Sequence, residues 1–174
     1  MKATTLLTRQ HAKTQTALTT LASGKGTKAL LEELATGLVA HMIIEETVLY
    51  PAIRKVKKDL VLEAYEEHAI AQLSLKRLVE TPFGTDLFKA RATTLKELID
   101  HHIGEERDEL FPKVEKAIDK DVLDALGAEM QARFESEKSA REIEVLQRDR
   151  EIQALTAKRQ QTLRKALVVL AGLL

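Results

Sequence analysis

Two segments of the chain repeat a pair of residues that can bind a metal ion. His41 is followed four residues later by Glu45, and His102 is followed four residues later by Glu106. In both segments the histidine lies ten residues before a proline that comes directly after a leucine and an aromatic residue. Residues four apart share one face of a helix, so each histidine would project together with its glutamate. The repeat indicates either a metal site or two ordinary ion pairs on helix surfaces.

Histidines on two further segments favour the metal site. His11 and His68 lie in line with the apolar residues of their segments, as the repeated pairs do. A lone histidine in such a place is more often a hydrogen-bonded core residue than a ligand. Buried carboxylates, however, need a counter-charge or a metal, and the whole set would be unfavourable in a core without a cation. The predicted metal ligands are His11, His41, Glu45, His68, His102 and Glu106.

The chemistry of these six groups narrows the choice of metal. Imidazole together with carboxylate suits iron, zinc or manganese. The chain contains no cysteine, which excludes thiolate metal sites, disulfides and cysteine nucleophiles. Six ligands are too many for one tetrahedral zinc and suit two ions that share the glutamates. The Glu-x-x-His pairs of ferritin-like di-iron proteins do not occur in the sequence.

Four helices are predicted to position the ligands. Segments 23–27 and 80–86 contain glycine or proline and predict turns, and Thr4 and Asp59 are candidate N-caps. Strand-like alternation is absent from the sequence. The fold class is therefore all-α, an antiparallel four-helix bundle with an additional long C-terminal helix. Apolar residues recur at spacings of three and four within residues 4–22, 28–50, 59–79 and 85–111.

The chain changes character after residue 135. Residues 136–165 are polar and helical in composition, and residues 166–174 form an apolar end that is too short to span a bilayer. We predict a metal-binding domain over residues 1–135 and a helical extension over residues 136–174. The extension could pack along the bundle, form a homodimer contact or dock onto another protein, and the sequence leaves these three open.

Composition excludes several classes of protein. Lys and Arg total 27, as do Asp and Glu, so no general attraction to nucleic acid is expected. No segment reaches the roughly 18 apolar residues that a membrane span requires. The N-terminus lacks the apolar run of a signal peptide. We expect a cytoplasmic protein without a nucleic-acid partner or a membrane span.

Five motifs, in this order, resemble the hemerythrin-like HHE cation-binding family. They are ATTLLTRQH, VAHMIIEETVLYP, YEEHAIAQL, HHIGEERDELFP and LDALGAEMQARFE, and the resemblance covers residues 1–135. It implies a hemerythrin-like bundle with two iron ions joined by an oxo or hydroxo group, and zinc or manganese are the weaker alternatives. By this resemblance His11 and His41 bind one iron, His68 and His102 bind the other, and the two glutamates bridge them.

Two positions depart from the oxygen-carrying hemerythrins that this family includes. The carriers have a further histidine one turn after the third-helix histidine, where this chain has Gln72. The carriers also use a spacing of five before the bridging carboxylate, which His101 and Glu106 satisfy. Helix geometry favours His102 at the spacing of four, so His101 is the reserve ligand.

Residues next to the predicted ligands are given lesser roles. Glu46 and Glu105 are predicted either to accept hydrogen bonds from the ligating imidazoles or to be solvated surface charges. Tyr50 and Phe111 are predicted to close the end of the bundle by packing, and Tyr65 is predicted to be a core tyrosine.

The resemblance leads to two hypotheses about function. In the first, the centre binds or reacts with oxygen, peroxide or nitric oxide, and the absence of the carrier's further histidine favours peroxide-consuming or oxidase-like activity over reversible oxygen storage. In the second, the protein is a non-catalytic iron-binding module for sensing, iron handling or oxygen binding.

Overall fold

Seven α-helices and two π-helical turns make up the described part of the chain. The structure is a computed structural model that describes the backbone of residues 1–171 and the side chains of residues 1–144, 147, 150–156 and 158–160. The elements are α1 (Ala3–Ala22), α2 (Lys28–Ile44), π1 (Glu45–Leu49), α3 (Tyr50–Ile53), α4 (Lys58–Val79), α5 (Asp86–Glu105), π2 (Glu106–Leu110), α6 (Phe111–Ala117) and α7 (Lys120–Ala171).

Helices α1, α2, α4 and α5 form a closed bundle. Helix α1 contacts α2 and α5, and α4 contacts the same two helices, so α1 and α4 lie on opposite corners. Each of these helices is long enough to carry an apolar face of several turns. The predicted all-α four-helix bundle is confirmed.

Threonines begin two of the four bundle helices. The hydroxyls of Thr27 and Thr85 accept the backbone N–H three residues further on, each at 3.1 Å. Thr4 and Asp59 are instead the second residues of α1 and α4, so their predicted roles as N-caps are wrong. The hydroxyl of Thr4 donates to the carboxylate of Glu115, which ties α1 to α6.

The two helices that carry the His-x-x-x-Glu pairs are each interrupted by one π-helical turn. The N–H of Tyr50 bonds to the carbonyl of Glu45, and the N–H of Phe111 bonds to that of Glu106, five residues back instead of four. A proline follows each aromatic residue. Proline has no N–H and its ring collides with the carbonyl four residues earlier in a regular α-helix. The wider π turn accommodates the proline, so the helical path continues through α3 and α6 instead of ending.

Apolar side chains pack on both sides of the level at which the histidines lie. One group of buried side chains includes Leu7, Leu49 and Leu110, and the other includes Leu38 and Leu95. Both groups fill the bundle interior at positions three and four residues apart along each helix. They enclose a layer of buried polar residues between them.

The first turns of α7 belong to the bundle. Leu123 and Met130 are fully buried in the same group as Leu7. A methyl group at Gly127 would lie 2.1 Å from the carbonyl oxygen of Met1, so glycine allows the two backbones to approach.

The compact unit that contains the bundle is Met1–Lys138, and a second unit begins at Ser139. Helix α7 runs through the predicted boundary between residues 135 and 136 without a break. The side chains of residues 166–174 lie outside the described residues, so a dimer contact or docking role for them stays a prediction. Among the described residues, no helix has the length and apolar character needed to cross a membrane.

Candidate metal centre

The four bundle helices bring the six predicted ligands together in the buried polar layer. One histidine comes from each helix, and the two glutamates are the first residues of π1 and π2. Each of the six is at most 4 % exposed. This set is a candidate site for metal ions, and we call it the metal centre: His11, His41, Glu45, His68, His102 and Glu106.

The histidines of the metal centre form two pairs. The Nε2 atoms of His11 and His41 are 3.1 Å apart, and those of His68 and His102 are 3.2 Å apart. Each pair joins neighbouring helices, α1 with α2 and α4 with α5. All four Nε2 atoms therefore point towards the interior of the bundle.

The carboxylates connect the two histidine pairs. Oε2 of Glu45 lies 3.2 Å from Nε2 of His41 and 3.3 Å from Nε2 of His68. Oε2 of Glu106 makes the corresponding contacts with the remaining histidine of each pair, at 3.2 Å and 3.5 Å. Each carboxylate thus lies between one imidazole of either pair, as a bridging ligand would.

Buried carboxylate oxygens without donors show that the residues fit a cation. Both side-chain oxygens of Glu45 and Oε2 of Glu106 are buried without a hydrogen-bond partner. Such oxygens are unfavourable unless a positive charge is beside them. Atoms that bind one ion at about 2.1 Å lie roughly 3.0–3.4 Å apart, close to the separations between these nitrogens and oxygens.

The outward ring nitrogens of three histidines donate hydrogen bonds that fix the tautomer. With the proton on Nδ1, the lone pair on Nε2 is free to bind a metal. Carboxylate acceptors also make the imidazole a stronger ligand. The three bonds join His41 Nδ1 to Gln10 Oε1 at 2.7 Å, His68 Nδ1 to Glu46 Oε1 at 2.9 Å and His102 Nδ1 to Glu67 Oε2 at 2.8 Å.

Two of these acceptors were missed by the sequence analysis. Gln10 and Glu67 each come directly before a histidine of the metal centre in the chain. This shared position in the sequence was the pattern that could have identified them. Glu46 takes the supporting role that was one of its two predicted alternatives. Glu105 contacts the exposed His101 instead of a buried imidazole.

Tyr50 contacts two residues of the metal centre and is not simply a packing residue. Its hydroxyl donates to Oε1 of Glu106 at 2.9 Å and lies 3.4 Å from Nε2 of His68. Burial and the negative charge of Glu106 raise the pKa of the Tyr50 phenol well above its usual range. The phenol therefore keeps its proton and acts as a hydrogen-bond donor inside the centre.

Two positions singled out in the sequence lie outside the metal centre. Gln72, which stands where the oxygen carriers have a further histidine, is exposed, and Ala71 is the buried residue of that turn. The side chain of His101 is 66 % exposed and faces Glu67. The reserve ligand is therefore remote from the buried carboxylates, and His102 occupies the inward position.

A small space adjoins the four imidazoles. Its volume is about 10 Å³, which is close to the minimum for one water-sized molecule. The other residues that line it are mostly apolar: Thr14, Leu38, Met42, Ile99 and Ile103.

Protons on two histidines balance the carboxylates when no metal is bound. Burial lowers the pKa of His11, but the adjacent carboxylates of Glu106 and Glu45 outweigh this effect and raise the pKa to about 9. Burial lowers the pKa of His68 as well, and Glu45 and Glu46 raise it to about 9. A cation in the centre would replace the positive charge that these protons supply.

The metal-free protein is expected to lose stability as the pH rises from 6.5 to about 9. His11 and His68 have a pKa of about 9 when folded against 6.5 when unfolded. Their contribution is fully present below pH 6.5 and is lost as the pH rises through about 9, because the folded state then gives up protons it holds favourably. Thermal unfolding of metal-free protein across this window measures the loss.

The metal-loaded protein is the control for this pH experiment. A bound metal occupies the same Nε2 lone pairs, so its melting temperature should change less over the window. A metal-free protein whose melting temperature is constant or rises from pH 6.5 to 9 would contradict the proposed charge balance.

Comparison with known proteins assigns the chain to a family. The model of the hemerythrin HHE cation binding domain matches residues 2–114. The chain belongs to the hemerythrin HHE family. The matched range contains all four bundle helices and both π turns of the HHE domain. The predicted resemblance is confirmed, and cation binding is the function that the family gives to the domain.

A solved HHE structure has the same fold. The crystal structure of a hemerythrin HHE cation binding domain-containing protein from Mycobacterium kansasii matches with a TM-score of 0.69 and 25 % sequence identity. The match covers 80 % of this chain and 89 % of the other. No curated protein matches the sequence.

Proposed function

We propose that the metal centre holds two iron ions and that the protein reacts with oxygen, peroxide or nitric oxide. The observation that carries this proposal is the position of each carboxylate between one imidazole of either histidine pair. Two ions that share two carboxylates require that arrangement, and imidazole with carboxylate is a ligand set that iron accepts. When bound, iron supplies the electron transfer to or from the small molecule.

The surroundings of the centre support a small, weakly polar reactant. The space of about 10 Å³ beside the imidazoles holds about one water-sized molecule, so a reactant there must be small. Apolar side chains, among them Leu38 and Ile99, line most of the rest of this space and favour a weakly polar reactant.

Tyr50 and the histidine count favour peroxide consumption or oxidase-like chemistry over reversible oxygen carriage. The Tyr50 hydroxyl holds a proton next to Glu106 and His68, where it can be given to a reacting oxygen atom. The chain has five histidines, and the fifth, His101, is exposed. The metal centre therefore has four imidazoles and lacks the further one that the oxygen carriers use.

Metal analysis followed by a test of reactivity decides the proposed function. Protein purified without oxygen is expected to hold about two irons per chain, the number that two bridging carboxylates predict. Addition of hydrogen peroxide should consume the peroxide over many turnovers, and addition of oxygen should oxidise the iron irreversibly on the timescale of the assay.

Three outcomes would count against parts of this proposal. Zinc in place of iron in protein from iron-rich cultures would contradict the choice of metal. Repeated binding and release of oxygen without oxidation would contradict peroxide or oxidase activity and favour a carrier. A fully iron-loaded protein that leaves peroxide, oxygen and nitric oxide unchanged would favour the non-catalytic iron-binding module.

A further inference from the structure

Two His-x-x-x-Glu pairs, offset by one residue, lie where α5 meets π2. His102 and Glu106 point into the metal centre. His101 and Glu105 lie about 100° further around the helix and face α4 at the protein surface. The first copy of the motif has no second pair, because alanine and isoleucine occupy the corresponding positions before its histidine and glutamate.

One carboxylate of α4 connects the two pairs. Oε2 of Glu67 accepts the hydrogen bond from Nδ1 of His102 at 2.8 Å. Oε1 of the same carboxylate lies 3.5 Å from Nε2 of His101. Glu67 therefore contacts a ligand of the buried centre with one oxygen and an exposed imidazole with the other.

We propose that Glu67, His101 and Glu105 form an outer binding site for one divalent transition-metal ion. Nε2 of His101 lies 3.5 Å from Oε1 of Glu67 and 3.6 Å from Oε1 of Glu105, and the three ligand atoms all lie within 4.8 Å of one another. Ligands at about 2.1 Å from a tetrahedral ion are separated by about 3.4 Å, so small side-chain rotations would complete the site. One imidazole and two carboxylates suit Mn²⁺, Fe²⁺ or Zn²⁺.

Exposure and charge suit this outer site to rapid exchange with solvent. The side chains of His101, Glu105 and Glu67 are 66 %, 29 % and 19 % exposed, so water can fill the remaining coordination positions. Glu63 lies one turn before Glu67 on α4 and adds a further negative charge to the same surface. Carboxylates concentrated in this way attract cations from solution.

The shared carboxylate gives the outer site a role in loading the metal centre. An ion held by Oε1 of Glu67 is one carboxylate away from His102, and Glu67 can exchange its hydrogen bond for the ion as the ion moves inward. This delivery role rests on the proposed iron centre, whereas binding at the outer site does not.

A manganese titration tests whether the outer site exists. Binding of Mn²⁺ is counted from the loss of the electron paramagnetic resonance signal of free Mn²⁺, in both iron-loaded and metal-free protein. The wild-type chain should bind one more Mn²⁺ than the His101→Ala and Glu105→Gln variants. Glu66→Gln is the matched control, because it removes an exposed carboxylate next to Glu67 and should retain the additional ion.

The number of Mn²⁺ ions bound by metal-free protein tests the outer site independently of the proposed function. If the buried residues bind no iron, the difference of one Mn²⁺ between wild type and variants still reports the outer site. Equal Mn²⁺ counts in the wild type and both variants would overturn the outer site and indicate nonspecific surface binding only.

The rate of iron uptake tests the delivery role. Metal-free His101→Ala and Glu105→Gln proteins should take up Fe²⁺ without oxygen several-fold more slowly than the wild type and the Glu66→Gln control. Their final iron content should equal that of the wild type, since the six buried ligands are intact. Equal uptake rates in all four proteins would overturn delivery through Glu67.

Discussion

A Glu45→Ala, Glu106→Ala double variant is expected to lose the metal of the buried centre almost completely. The carboxylates are the groups that lie between the two histidine pairs, and without them four neutral imidazoles face one another with no anionic ligand. Removing ligands and their charge weakens metal binding by orders of magnitude. Elemental analysis after purification without oxygen measures the remaining iron.

Metal-dependent stability should disappear in the same variant. A ligand that binds only the folded state raises the stability by an amount that grows with its concentration relative to its dissociation constant. Added Fe²⁺ should therefore raise the melting temperature of the wild-type protein and leave that of the double variant unchanged. The comparison is made within each protein, so a lower starting stability of the variant does not affect it.

Exposed glutamates on the same two helices provide a matched control. Glu32 on α2 and Glu97 on α5 are both exposed, and a Glu32→Ala, Glu97→Ala variant loses the same two charges without touching the centre. This control should keep its iron. Full iron loading of the Glu45→Ala, Glu106→Ala variant would refute the assignment of the metal centre.

Replacing Tyr50 by phenylalanine is expected to lower peroxide turnover by about 100-fold, the lower end of the usual contribution of a positioned proton donor. The change removes the hydroxyl that donates to Glu106 and keeps the ring, which packs against Tyr65 and His68. Iron content should therefore stay at the wild-type level. Peroxide consumption per bound iron is the measurement that separates loss of the proton donor from loss of metal.

Tyr65→Phe is the matched control for this experiment. The Tyr65 hydroxyl donates to the backbone carbonyl of Glu46 and not to a carboxylate of the centre. Turnover in this variant should remain close to that of the wild type. If Tyr50→Phe and Tyr65→Phe proteins consume peroxide equally fast, the Tyr50 phenol is not the proton donor.

The bundle and the grouping of the six buried residues could be predicted because both depend on spacing within regular helices. A spacing of four places His41 with Glu45 and His102 with Glu106 whatever the neighbouring helices do. The apolar residues that accompany them then decide which face is buried. These inferences need no knowledge of contacts between helices.

The π turns explain why the role of Tyr50 could not be predicted. In a regular α-helix a residue five after Glu45 is rotated by about 140° and points away from it. The additional residue in π1 brings Tyr50 to the angle that the fourth residue would have, above Glu45 on the inward face. A helical projection that assumes 100° per residue does not include this change in the direction of Tyr50. Pro51 was the one indication that the regular helix is interrupted there.

Gln72 and Glu67 show a second limit, which is the exact rotation of a helix about its axis. A spacing of four from His68 leads to Gln72, but Ala71 is the buried residue of that turn. The same small rotation brings Glu67 to His102. Such contacts depend on how α4 packs against α5, and one sequence does not contain that information.

The hydrogen bonds around the metal centre place more negative charge beside the His68 and His102 pair than beside the His11 and His41 pair. By their order along the chain and their places in the repeated motif, His11, His41, Glu45 and Tyr50 correspond to His68, His102, Glu106 and Phe111. The outward nitrogens of the His68 and His102 pair meet two carboxylates, whereas His41 meets the neutral amide of Gln10.

Negative charge behind a ligand stabilises positive charge in front of it, so the position at His68 and His102 favours the more highly charged ion of a pair. The phenol of Tyr50 lies on this same side, 3.4 Å from His68, while its counterpart Phe111 stacks on His11 without a hydroxyl. If the proposed function holds, the two similar halves of the centre would therefore differ, and the half at His68 and His102 would hold both the stronger ligands and the proton donor.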